Sequence, residues 1–167
     1  MIALQITEIK PFMNQLLLSH TFDQFRVQEA VITTYSTFHL DGHLQKEYYS
    51  KEELEHLHLE EETLVSWEQL KPFCLQLVKG KHTPLNLKIV FQLSLKNLDK
   101  LLLQTALSYS RKDIGGLYLN IRYDGTSLTC ITGTSLHLFT LDKTLEQEWD
   151  RMVQRFFASR DIAFTQD

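Results

Sequence analysis

The residues of this 167-residue chain that could do chemistry are its seven histidines, a run of glutamates and a few paired cations. The densest stretch is KEELEHLHLEEE at residues 51–62, where six Glu fall within the eleven residues from Glu52 and His56 and His58 lie between them. Two apart on a strand, these histidines would share one side with Glu60, and imidazole with carboxylate is a donor set for a divalent metal. Leu57 and Leu59 would fill the other side, so a polar strand or connecting segment whose leucines dock on the core explains the pattern without a metal. A second group, His39, Asp41 and His43, brackets the dipeptide Asp41-Gly42. Paired across a hairpin, its imidazoles would meet beside the turn, suiting a metal or a pH-sensitive contact, although an exposed hairpin tip explains them with less. The metal candidates are therefore His39, His43, His56 and His58. The common nucleotide and hydrolase motifs are missing: there is no GxxxxGK followed by Ser or Thr, no GxGxxG, no GxSxG and no HExxH. Nothing in the sequence calls for a cofactor.

The cations offer a different chemistry. Lys96 and Lys100 stand one helical turn apart, as do Arg151 and Arg155, while Lys10, Lys71, Lys79, Arg111, Lys112 and Arg160 fall at or near other helix ends. Cations gathered on one face attract phosphates without reading sequence, which makes DNA a candidate partner. Asp99 follows Lys96 by three and Glu148 precedes Arg151 by three, the spacing of an ordinary solvated helix face. With 17 Lys and Arg against 21 Asp and Glu the formal charge is −4, which excludes a surface that grips phosphate everywhere and leaves room for a local basic face. Tyr35, Tyr48, Tyr49, Tyr118 and Tyr123 lie in strand-like segments, where they could stack bases or proline-rich ligands, or serve as ordinary strand residues. Another protein, bound along an exposed sheet edge, is the alternative partner.

These side chains need elements to position them. Three Pro, six Gly and no Gly- or Ser-rich stretch leave no visible linker, so one domain spans residues 1–167. No apolar run approaches the roughly 20 residues that cross a bilayer, and the N-terminal residues lack the pattern of a secretory signal, so a cytoplasmic protein is expected. Cys74 and Cys130 sit in separate apolar-periodic segments and read as buried free thiols.

A phrase recurs: IKPFMNQLL at residues 9–17 returns as LKPFCLQLV at residues 70–78. Before each, a short apolar strand precedes a hydroxyl residue, Thr7 or Ser66, that can cap a helix, and Glu8 and Glu68 suit the first turn. Pro11 falls inside a first turn and Pro72 just past one, which predicts a kinked or late second helix. A third copy, FQL, Ser94 and LKNLDKLLLQTAL, has apolar residues at helical spacing. Asp41-Gly42 and Asp124-Gly125 each read as hairpin turns, and Gly133-Thr134 as a further turn into a third strand at residues 135–141. The alternation of Leu117, Leu119, Ile121 and Tyr123 with Tyr118, Asn120 and Arg122 predicts a sheet with one face buried. A last helix, Thr144–Ser159, carries Leu145, Trp149, Met152, Val153 and Phe156 on one stripe. The expected fold is α+β: curved antiparallel sheet with helices packed on one side, built as an internal pseudo-repeat of residues 1–64 and 65–142 plus a C-terminal helix at 143–160.

A strand, hydroxyl cap, helix and antiparallel meander, repeated with helices to one side, resembles the building block of DNA polymerase sliding clamps. The segment Val65-Ser66-Trp67-Glu68-Gln69-Leu70 is similar to the strand-to-helix passage of bacterial clamp domains, and DGTSLTCITGTSLHLFT at residues 124–140 to their hairpin and following strand. The resemblance implies helices that face DNA and a link to replication, with Lys96, Lys100, Arg151 and Arg155 as the candidate contacts; because shape is repeated and reactive residues are not assembled, a non-enzymatic binding or scaffold protein is expected, with a metal-binding protein or metal-dependent enzyme on the histidine clusters as the alternative. A ring of this short chain would need self-association. In length and in both ends the chain also resembles small Gram-positive bacterial proteins grouped as a domain of unknown function, which implies no activity.

Overall fold

A computed structural model describes residues 1–167. In chain order the elements are β1 (Ala3–Ile6), α1 (Ile9–Leu18), β2 (Arg26–Thr33), β3 (Thr37–Asp41), α2 (Lys51–His56), α3 (Trp67–Val78), β4 (Asn86–Gln92), α4 (Leu95–Thr105), β5 (Ile114–Tyr123), β6 (Leu128–Leu136), α5 (Thr144–Ser159) and β7 (Phe164–Gln166). The fold is α+β: the seven strands form one open antiparallel sheet in the order β3-β2-β4-β5-β6-β1-β7, with five α-helices. Residues 1–64 supply strands to both ends of it, β1 beside β6 and β7, and β2 and β3 at the opposite edge.

Alternation decides the faces. Val27, Ala30 and Ile32 of β2, Leu87, Ile89 and Phe91 of β4, Leu117, Leu119 and Ile121 of β5, and Leu128 and Cys130 of β6 are all buried beneath the helices. On the other face a cross-strand row runs His39, Val31, Lys88, Arg122, Thr129, Gln5 and Thr165, polar at all but one position and open to water. The core is rich in aromatics: Phe91 stacks on Phe22 and Phe25 with ring centroids 5.8 and 5.3 Å apart. Both buried indoles find acceptors, Trp67 Nε1–H donating to the Leu16 carbonyl at 2.8 Å and Trp149 Nε1–H to that of Tyr118 at 2.9 Å. Cys74 and Cys130 are buried and free, as expected, and burial raises both thiols, Cys74 to about 12.

The caps at Ser66 and Ser94 form: the Ser66 hydroxyl accepts from the Gln69 N–H and the Ser94 hydroxyl from that of Asn97. Thr7 does not cap; α1 starts at Ile9 behind Glu8, without a side-chain cap. The Lys-Pro-Phe phrase consequently sits at different depths in its two helices. Pro11 is the third residue of α1, where no N–H is needed, and Phe12 is buried. Pro72 is the sixth residue of α3, which nonetheless starts at Trp67 rather than late, and Phe73 turns 63% exposed while Trp67 and Cys74 fill the core.

Several turns differ from expectation. The β2–β3 hairpin closes at residues 34–36, where Thr34 N–H donates to the Ser36 carbonyl, not at Asp41-Gly42. Gly42 serves a close approach instead. A Cβ there would lie 1.7 Å from the Val27 carbonyl oxygen, so only glycine lets the chain cross β2 at its bulge. Past that crossing, Ser66 bridges to Arg26 and leads into α3. Asp124-Gly125 does turn β5 into β6, with Gly125 at φ 98° and the Asp124 carboxylate accepting from the Thr126 and Ser127 N–H groups. Gly133 makes no turn; β6 runs through it with Gly133 paired opposite Tyr118, and residues 137–143 are loop instead of a third strand. The short α2 and the final β7 are additions to the expected elements.

Candidate ligand-binding groove between two helices

Two helices with apolar stripes, α4 and α5, border one groove. Behind its Ser94 cap, α4 buries Leu98 and Leu101, which turns Lys96 and Lys100 outward. In α5 the residues Leu145, Trp149, Val153 and Phe157 go to the core, and Met152 and Phe156 remain half-buried at its flank. Between them runs a groove of about 610 Å³ lined by Leu101, Met152 and Phe156 and by Asn97, Lys100, Gln104, Glu148, Arg155 and Ser159. Through Asn97, Met152 and Phe156 it continues into an apolar cleft of about 200 Å³. The walls of that cleft are Phe25, Leu93, Trp149 and Val153, and its rim carries His20, Gln24 and Arg160. The Arg160 guanidinium stands 5.9 Å from the Phe156 ring centroid, within cation–π range. Lys100, Arg155 and Arg160 form no ion pairs, whereas Arg151 is held by Glu148 at 2.5 Å.

Of the four expected phosphate-facing cations, Lys100 and Arg155 therefore line one groove from opposite helices. Arg151 is engaged by its own helix. Lys96 lies on the other flank of α4, in a trough shared with His58, Glu60, Glu61, Glu62, Asp99 and Arg111, which Lys100 also borders. Arg111 closes that trough by pairing with Asp99 and, at 2.6 Å, with Glu61.

The histidines are dispersed. His39 Nε2 lies 3.1 Å from Glu29 on the open sheet face, where Lys88 also reaches Glu29 at 2.8 Å; the Lys88 hydrogen bond is the main reason that carboxyl falls below its ordinary value. His43 meets Asp41, whose carboxylate accepts from both its backbone N–H and its ring and is lowered by them. His56 ends α2, a helix and not the expected strand, because Ser50 and Glu53 form a capping box ahead of it. His58 follows at φ 56°, out of alternation with His56. No three His, Cys, Asp or Glu side chains converge where a metal ion could sit.

Beneath the cleft rim lies a buried charge. Asp23 is 5% exposed, receives Lys71 Nζ at 2.7 Å on one oxygen and contacts His20 Nδ1 at 2.7 Å through the other. Burial alone would raise its carboxyl, but the bonds from Lys71 and His20 outweigh that and hold it below the ordinary range. Lys71 also donates to the Ser19 carbonyl at the end of α1, so it ties α3 to α1. Sequence reasoning missed His20 and used Arg160 only as a helix-end cation. The available signal was the breadth of the α5 stripe, which carries Met152 and Phe156 beyond what one sheet face needs.

The fold and groove describe an α+β protein that presents a groove lined by cations and apolar side chains beside a one-sided sheet. The chain belongs to a family of unknown function, DUF5721, whose profile matches residues 15–165. No curated protein and no solved structure matches it. No helix is long and apolar enough to cross a membrane.

Proposed function

We propose that this protein is a non-enzymatic binding or scaffold module, clamp-like in turning helices outward from an antiparallel sheet, and that its α4–α5 face takes the phosphate backbone of DNA. The observation that carries the reading is the pair Lys100 and Arg155, contributed by two helices to one groove and left without carboxylate partners in a chain of net charge −4. Asn97, Gln104 and Ser159 add neutral donors around them. Such contacts hold a backbone without reading bases. Lys96, on the far flank of α4 among Glu60, Glu61, Glu62 and Asp99, and Arg151, held by Glu148, are outside this pair.

The test is binding of a mixed-sequence DNA duplex as a function of salt. Affinity is expected to fall steeply with salt, and Lys100→Ala with Arg155→Ala is expected to lower the slope of log K against log salt by about 2. Absent binding at low salt, or binding indifferent to salt and to both substitutions, overturns the reading.

A further inference from the structure

The cleft that continues the groove has no use in phosphate binding, because a duplex backbone offers nothing apolar to fill it. Its walls are Phe25, Leu93, Trp149, Val153, Met152 and Phe156, and a guanidinium and an imidazole stand at its mouth. Apolar walls with a few convergent polar groups are the usual composition of a small-molecule site. At about 200 Å³ it falls below the roughly 300–1,000 Å³ of sites for drug-sized ligands, so the body it takes is short.

The charge of the ligand follows from the rim. Arg160 has no acidic partner, and its contact with Phe156 holds the guanidinium over the apolar wall. Asp23, bonded to the rim residue His20, is buried and also held by Lys71. Glu148 borders the neighbouring groove and is engaged by Arg151. We infer that the cleft between α4, α5 and the segment after α1 binds a small anionic amphiphile, a carboxylate with a short apolar body, its head group on Arg160 and its body against Trp149 and Met152.

Trp149 supplies the readout: both indoles are buried, but Trp149 lines the cleft and Trp67 does not. Titrating the full chain with octanoate is expected to change tryptophan fluorescence saturably, with half-saturation on the order of 1 mM. Arg160→Ala is expected to weaken binding about tenfold and Arg160→Lys to restore part of it. Octylamine and octanol, which share the body and differ in the head, are the discriminating ligands. A response to octanoate well above both supports the site. No saturable response to octanoate, an equal response to octylamine, or indifference to Arg160→Ala overturns it. The DNA measurement depends on Lys100 and Arg155 and this one on Arg160, so each can fail without the other.

Discussion

Lys71 ties α3 to the end of α1, since its ammonium links the Ser19 carbonyl to a buried carboxylate that would otherwise stand with His20 alone. Lys71→Met is expected to cost roughly 3 kcal/mol in chemical denaturation, because removing one partner of a buried pair leaves the other charge uncompensated. The pH dependence has a defined sign. The Asp23 carboxyl is lowered in the folded protein, so its contribution is present above the unfolded value of about 3.9 and is lost as pH falls through the lower folded value. Urea midpoints measured between pH 6 and 2 should therefore fall less steeply for Asp23→Asn than for the parent chain. The cysteines give a second prediction: burial keeps both thiols protonated near neutrality, so neither should react with a thiol reagent until the protein unfolds, when two equivalents should appear. Reaction of the native protein would show that one of the two segments opens.

The helices and turns show how local signals compete with packing. α4 ends with Ala106 at φ 51°, a left-handed cap that favours glycine. Ala106→Gly is expected to raise stability by about 0.5–1 kcal/mol, read as a higher thermal midpoint, whereas Ser66→Ala should lower it by about 1 kcal/mol through loss of the α3 capping box. Caps and stripes of this kind were legible in the sequence: Ser66, Ser94, the alternation of β5 and the full length of α5 all follow from residue type and period. Glycine was less legible, because its two uses look alike. Gly125 supplies a positive φ at a turn, whereas Gly42 supplies absence of a side chain where two backbones cross, and only the distant Val27 distinguishes them. The same limit applied to the groove. That Lys100 and Arg155 would meet across two helices, and that His20 near one end of the chain would share a cleft rim with Arg160 near the other, depended on tertiary packing that no local pattern records.

At the scale of the molecule, one sheet holds the fold together and divides its faces by role. β4 and β5 lie inside it with partners on both sides, while β3 and β7 are the edges and β7 has only three residues. Amide exchange should accordingly be slowest in β4 and β5 and fastest in β3 and β7; slow exchange at either edge would mean that the edge is covered in solution, as strand addition by a partner would require. The helix side bears the groove, and the open side bears the row from His39 to Thr165. Sequence alone anticipated this one-sidedness, because hydrophobic alternation reports which face is buried, but the order of strands could not be read from it. β1 and β2 follow one another along the chain yet stand apart in the sheet with β4, β5 and β6 between them, a placement set by long-range pairing.

That separation brings β1 against β7, with Leu4 opposite Gln166, so the first and last strands of the chain are neighbours about 4.8 Å apart. Residues 1 and 167 thus lie at the same end of two paired strands. Joining Asp167 to Met1 through a few glycines and reopening the backbone at the exposed Tyr35 tip would preserve every strand pair while moving the ends to the opposite edge of the sheet. Such a circular permutant would carry its attachment points far from β1 and β7, which makes the order of elements along the chain separable from their order in space.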